Sequence, residues 1–512
     1  MSAVPDLVAG VELDERTAPL PSTRHEQLEE WRVLRAEVLS PQDAAAVERQ
    51  LSRGKLLARE RIEQLLDPGS FQELLMMNYT AYVPQLRGKQ AFGDGIVAGW
   101  GTIDGRRIFV FSQDATVVGG SLGEIGGAKV QRIIDLAIEG SAPVVGILDG
   151  GGARIQEGVS SLNAFGGIFF RNTRASGVVP QISLIMGIAT GGAVYSPALT
   201  DFVFMVAGTA ILAITGPKVI KEVTGEDVSL EDLGGAVVHG QRSGVVHFVV
   251  PDERTCLDAA RRLLSFLPQN YRQRPPSSPP LPARSTNGWD PLDVLPAGDG
   301  GSYDVRAILT ALVDAADLFE YSAGFAPSIV CGFARLDGHP VGLVANQPQV
   351  RSGYLDIDSC EKAARFVRTC DAYNLPVVTL VDCPGFTATA EKDQGPAVRA
   401  AAKLVCAWAE ATSPKVQVVI GRAHHRAIVP MGVTRDLSDV RLAWPTADLS
   451  TGSVVADPAE RLRPSLYDAA MQGVIDRVIE PQETRAALIE TLAMLAPFER
   501  QLAPRKHENL PL

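Results

Sequence analysis

No stretch of this chain is apolar for long enough to cross a membrane. The longest, Phe202 to Ile214, falls short of the ~20 residues that a spanning helix needs, and Gly208 and Thr209 interrupt it. An excess of basic residues is missing too: 48 Lys and Arg stand against 59 Asp and Glu, a net charge of -11. That balance argues against non-specific nucleic-acid binding but leaves room for a local basic pocket that meets phosphates. Paired cysteines are also absent. The six (Cys256, Cys331, Cys360, Cys370, Cys383, Cys406) are scattered with no C-x-x-C, which excludes a disulfide framework and a cysteine zinc site, and no metal is expected. The opening MSAVPDLVAGVELDER is acidic and has no apolar core, so no secretory signal is expected there. With 46% hydrophobic and 21% charged residues, the chain has the make-up of an ordinary globular protein, expected in the cytoplasm.

What is present has a clear grammar. Residues 1–23 are expected to be loose. From Arg24 to about Leu66 apolar residues recur at helical spacing, and Asp67-Pro68-Gly69-Ser70 ends the pattern. Short strands follow, with a hairpin turn at Ile103-Asp104-Gly105-Arg106. From Gly119 helix and strand alternate: an amphipathic helix over Lys129–Glu139, then a buried strand over Pro143–Leu148 that runs into Asp149-Gly150-Gly151-Gly152-Ala153-Arg154. This order implies an α/β protein with a largely parallel sheet. Arg272 to Asp290, RQRPPSSPPLPARSTNGWD, is too rich in Pro and Ser for helix or sheet. It is expected to be a linker (272–290) between domains at 24–271 and 291–512.

The stretch Ile182–Pro197, ISLIMGIATGGAVYSP, organises the first half. A buried strand over Ile182–Met186 breaks at Gly187, and Gly191-Gly192-Ala193 leads toward a helix. Such a corner leaves backbone N–H groups without intrahelical partners, and glycine lets a ligand come close. It can hold an oxyanion without an ionisable side chain. The second half repeats the order. A strand ends at Asp382 as one ends at Asp149, and a helix and a strand later comes His424-His425-Arg426-Ala427 in place of Thr190-Gly191-Gly192-Ala193. This is an internal duplication whose two corners differ in chemistry.

Many segments, in order, are those of a known family: GKLLARERIEQLLDPGSF (54–71), GDGIVAGWGTIDGR (93–106), GGARIQEGV (151–159), GGAVYSPALTDF (191–202), ITGPKVIKEVTGE (214–226), VTLVDCPGF (378–386) and AWPTA (443–447). On these the chain resembles the carboxyltransferase (β) subunit of biotin-dependent acyl-CoA carboxylases, of the propionyl-CoA carboxylase β-chain type. The resemblance implies two crotonase-like domains. It implies an acyl-CoA on the N-terminal domain, biotin carried by a partner on the C-terminal one, a site across a dimer interface, and a hexamer built as a trimer of dimers. It implies a biotin carboxylase or biotin carrier subunit as partner and no metal. The first corner would stabilise a thioester enolate through the N–H groups of Gly192 and Ala193, with Gly191 giving the close approach. Gly151, Gly152 and Ala153 would form the wall against coenzyme A. Arg154 and Lys129 would meet its phosphates, or serve as structural ion-pair partners.

The chain also departs from the family. Its second corner reads His425-Arg426-Ala427 where the family has Gly-Gly-Ala, and the two bulky residues do not offer the same open backbone. Three readings therefore stand: a biotin-dependent carboxyltransferase with an adapted second site; biotin-independent enolate chemistry, such as decarboxylation of a malonyl-type thioester on CoA or a carrier protein, with His424 or His425 supplying the proton; or a non-catalytic partner subunit in a hetero-oligomer with a paralogue.

Overall fold

The structure, a computed structural model, describes residues 23–40, 43–283, 291–296, 301–387, 395–424, 427–450, 466–498 and 500–511. Contacts divide the chain into two units: Met1–Ala236 with Val249–Ala260, and Val237–Phe248 with Arg261–Leu512. The division passes through the helix Glu253–Phe266. Of the Pro-rich stretch, residues 272–283 are described. There the Ser278 N–H donates to Gly338 O at 2.9 Å, and Ala283 bridges Asp314.

Each unit carries an eight-stranded sheet among the described residues. In the first, β1 (Gln72–Glu73), β2 (Ile96–Ile103) and β3 (Arg106–Gln113) pair antiparallel, and β3 then pairs parallel with β4 (Val144–Gly150). Next come β5 (Gln181–Thr190) and β6 (Phe202–Val206), also parallel. β7 (Ile211–Ala213) lies parallel beside the end of β5, and β8 (Phe248–Val250) closes the row. The hairpin at 103–106 is as expected. Asp104 and Gly105 both have positive φ (51° and 74°), which the two-residue turn joining twisted strands requires.

In the second unit β9 (Phe319–Tyr321), β10 (Ile329–Leu336) and β11 (His339–Asn346) are antiparallel. β12 (Val377–Cys383), β13 (Lys415–His424), β14 (Val440–Ala443) and β16 (Arg477–Val478) follow in parallel, and β15 (Asp448–Ser450) lies beside the end of β13 as β7 does beside β5. The expected duplication is thus present strand for strand. It extends to side chains: Gln113 Oε1 accepts the N–H of Asp149 (2.9 Å) as Asn346 Oδ1 accepts that of Asp382 (3.3 Å). Behind this sheet lies a core of Val, Leu and Ile with Trp444, whose Nε1–H is satisfied by Thr484 Oγ1 at 2.8 Å. Burying each such aliphatic side chain contributes roughly 1.5–3 kcal/mol.

The helical pattern expected from Arg24 to about Leu66 is three shorter helices, Arg24–Leu39, Ala44–Leu51 and Ala58–Leu65, whereas two later elements run longer than the sequence pattern implies. The helix expected at Lys129–Glu139 begins at Glu124, because the Glu157 carboxylate caps its first N–H (2.6 Å). β5 does not stop at Gly187 but runs on to Thr190. That glycine is there for a side chain of the neighbouring strand.

Candidate active site

The first corner is built from the ends of β4 and β5. β4 carries a register shift between Leu148 and Gly150. Just after it, Gly152 presses so closely on β5 that a Cβ there would stand 2.5 Å from Thr190 O. The Gly151-Gly152-Ala153 segment and the Thr190–Ala193 segment are therefore neighbours. Beyond Thr190 the chain makes a tight turn, Gly191–Val194, and enters the short helix Tyr195–Leu199. Gly191 has φ +62°, a conformation that only glycine adopts without strain. A Cβ on Gly191 would meet nothing within 4 Å, and one on Gly192 only the Phe165 ring at 3.9 Å. The corner is open on that side, while Ala193 is buried beneath it. The first N–H groups of such a turn have no intrahelical acceptor.

Beneath the corner lies a buried charge cluster. Asp149 Oδ2 accepts from Lys55 Nζ (2.6 Å), Arg61 Nη2 (2.8 Å) and Gln50 Nε2 (2.9 Å), and Arg61 also pairs with Glu253 (2.6 Å). Burial by itself raises the Asp149 pKa, but Arg61 and Lys55 outweigh it and hold the carboxyl below its usual value. Gly187 makes room for this carboxylate: a Cβ there would lie 1.7 Å from Asp149 Oδ1.

Arg154 and Lys129 are not where phosphate binding would need them. The Arg154 side chain is fully buried, with Nη1 on Asp94 Oδ1 (2.5 Å) and Glu157 Oε1 (2.8 Å) and Nη2 on Ser121 O (2.8 Å). Lys129 is also fully buried; its Nζ donates to the carbonyls of Ile96 (2.5 Å) and Gly93 (3.3 Å), and burial lowers its pKa to about 8. Of the two expectations for these residues the structure favours the structural one over contact with CoA phosphates: Arg154 is an ion-pair partner, and Lys129 ties a helix to a strand. Lys362 does the same in the second unit, donating to Phe325 O (2.9 Å) and Ile329 O (2.8 Å).

The second corner follows β13. Asp382 takes the place of Asp149, accepting from the N–H and Nε of Arg422 (2.9 and 2.7 Å) and from Tyr303 Oη (2.9 Å). Gly421 again makes room, since a Cβ there would stand 2.6 Å from Asp382 Cγ. His425 and Arg426 lie outside the described residues. Ala427 is buried, and its N–H donates to His424 O at 2.8 Å. His424 Nε2 lies 2.9 Å from Asp448 Oδ2 on β15.

The carboxyl transferase domain matches residues 49–451. The chain belongs to the carboxyl transferase domain family. A propionyl-CoA carboxylase beta chain of Saccharopolyspora erythraea is 47% identical, over 91% of this chain and 92% of the relative. A methylmalonyl-CoA decarboxylase subunit alpha of Veillonella parvula is 44% identical, over 91% and 95%. Among solved structures, the hexameric transcarboxylase 12S with methylmalonyl-coenzyme A bound superposes with a TM-score of 0.91. It is 40% identical and is matched over 97% of this chain and 100% of its own. The carboxyl transferase fold expected from the sequence, two crotonase-like α/β domains, is what the chain adopts. No helix among the described residues is long and apolar enough to cross a membrane.

Sequence patterning missed the partners of the strand-end carboxylates in this carboxyl transferase. Lys55 and Arg61 sit in a charged helical stretch where solvent exposure is the ordinary expectation. Their one visible signal was membership of the long matching segment 54–71.

Proposed function

We propose that this chain is the carboxyltransferase subunit of a biotin-dependent acyl-CoA carboxylase, moving a carboxyl group between biotin on a partner subunit and the α-carbon of an acyl thioester. The observation that carries the reading is the open Gly191-Gly192-Ala193 corner at the end of β5. An α-proton beside a thioester is far too weakly acidic to leave at neutral pH unless the enolate oxygen is met by fixed donors. Each such donor contributes roughly 3–4 kcal/mol. The N–H groups of Gly192 and Ala193 hold that oxygen, Gly191 permits the approach, and Gly151, Gly152 and Ala153 line the coenzyme A side. Residues 24–271 form the acyl-CoA side and 291–512 the biotin side. The ureido ring of biotin, when bound, supplies CO₂ from one ring nitrogen. On that side the described His424 is partly exposed and can donate to a carbonyl oxygen. Assembly as a trimer of dimers with a biotin carboxylase or carrier subunit, in the cytoplasm, completes the reading.

Decarboxylation is the second reading, favoured by the relatives named for it. The test incubates the purified chain with malonyl-CoA or methylmalonyl-CoA, with and without free biotin, followed by mass spectrometry. Loss of the carboxyl group that requires biotin supports carboxyl transfer. Loss without biotin supports decarboxylation, and no turnover despite thioester binding supports a non-catalytic subunit.

A further inference from the structure

The first helix, Arg24–Leu39, stands apart from the packing described above. None of its residues is buried. It meets the body at its last turn, where Val38 and Leu39 line a cavity with Leu57, Arg59 and Phe92. A capping box starts it: the Thr23 hydroxyl accepts from the Glu26 N–H (3.2 Å), and the Glu26 carboxylate accepts from the Thr23 N–H (3.0 Å). Capping sets where a helix begins, yet a lone helix of this length is marginal in water and draws most of its stability from a covered apolar face. The apolar stripe here is Trp31, Leu34 and Val38, with Leu28 beside it. Trp31 and Leu28 are 39% and 44% exposed. We propose that this stripe is covered by the same helix of a second copy of the chain, the two lying parallel and in register. The inference rests on the assembly reading above.

The stripe has the heptad spacing of a two-stranded coil, with Trp31 and Val38 at a and Leu34 at d. The flanking charges choose the partner and its direction. Glu30 and Arg35 stand at g and e, and in a parallel pair the g residue of one helix meets the e residue five positions on in the other. Two identical copies therefore make the Glu30–Arg35 pair twice, which is the self-complementarity of a contact about a two-fold axis. Turned antiparallel, the copies would set glutamate against glutamate, since Glu37 is the next g residue. Among the described residues neither Glu30 nor Arg35 is held in an ion pair, whereas Arg32, away from the seam, is already bound to Glu29 at 2.5 Å. Each exposed pair is weak alone, and so is a coil this short. Copies held in one assembly meet at a high effective concentration, which lets so short a seam close.

The experiment uses the full-length chain carrying Leu34→Cys, mildly oxidised and run on a denaturing gel without reductant, with light scattering on the same sample. A d position of a parallel pair faces its own copy within disulfide reach, so a crosslinked dimer is expected. Val33→Cys, one residue round the helix, and the unaltered chain should stay uncrosslinked. Glu30→Arg or Arg35→Glu, added to Leu34→Cys, should each lower the crosslinked fraction severalfold, and the two together should restore it. Leu34→Cys that stays uncrosslinked within an assembled oligomer overturns the pairing and gives the face to a different partner. Equal crosslinking by Val33→Cys overturns it as well, as do charge reversals without effect or a double reversal that restores nothing. Gln27→Cys chains that crosslink to Val38→Cys chains in preference to like with like would show the antiparallel arrangement instead. A wild type that light scattering shows to be monomeric overturns the assembly reading itself and this inference with it.

Discussion

Lys55 Nζ lies 2.6 Å from Asp149 Oδ2, with side chains 6% and 5% exposed, under the strand ends that form the first corner. Removing one member of a buried pair leaves the other charge uncompensated, at about 3–5 kcal/mol. Lys55→Met should fall at the low end, because Arg61 and Gln50 still hold Asp149. Asp149→Asn should cost more, because Lys55 loses its carboxylate. The folded carboxyl has a depressed pKa, so its contribution is fully present above the unfolded value of roughly 4. It is lost as pH falls through the folded value. Thermal melts of wild type and Asp149→Asn should therefore converge on acidification. Melts that stay parallel down to the lowest usable pH would contradict this.

Gly192→Pro removes an N–H and fixes φ. Turnover of any thioester should drop by about 10²–10³-fold, with the oligomer still assembled in size-exclusion chromatography. Unchanged turnover would remove the enolate argument.

Arg154→Ala and Lys129→Met should behave as structural lesions. Removing Arg154 takes away the cation paired with both Asp94 and Glu157, which costs about 3–5 kcal/mol. Protein that remains folded should bind coenzyme A with unaltered affinity. Calorimetry showing a tenfold weaker affinity with an unchanged melting temperature would restore a phosphate-binding role.

Tyr303 Oη donates to Asp382 Oδ2 at 2.9 Å in a buried setting. Tyr303→Phe loses a hydrogen bond to a charged group, about 1.5–3 kcal/mol. Denaturant unfolding should show that loss, and Arg422→Met should show a larger one because it leaves a buried carboxylate without its cation.

The duplication, the turn of the first corner and the carboxylates near the ends of β4 and β12 were legible in the sequence, because hydrophobic runs ending in Asp repeat in order. The burial of the basic residues was not, although a structural ion-pair role for Arg154 and Lys129 was one of the two expectations. A lysine or arginine within a helical pattern reads as solvent-facing, and the groups that bury Lys129 and Arg154 come from strands and turns far away in the chain. The extent of β5 was misjudged for a related reason. Gly187 looks like a breaker in a local window and acts as a gap for a carboxylate on the next strand. The His424–Asp448 contact depends on the parallel register of β13 and β15, which no periodicity encodes.

Gly187 with Asp149, and Gly421 with Asp382, are interlocking pieces: a missing side chain on one strand is filled by a carboxylate from the next. A library that randomises either glycine alone should return mostly glycine, and one that randomises either aspartate alone should return little that folds. Recoding such a strand end requires two exchanges in a single step. A chain that accumulates changes one at a time is held in place there.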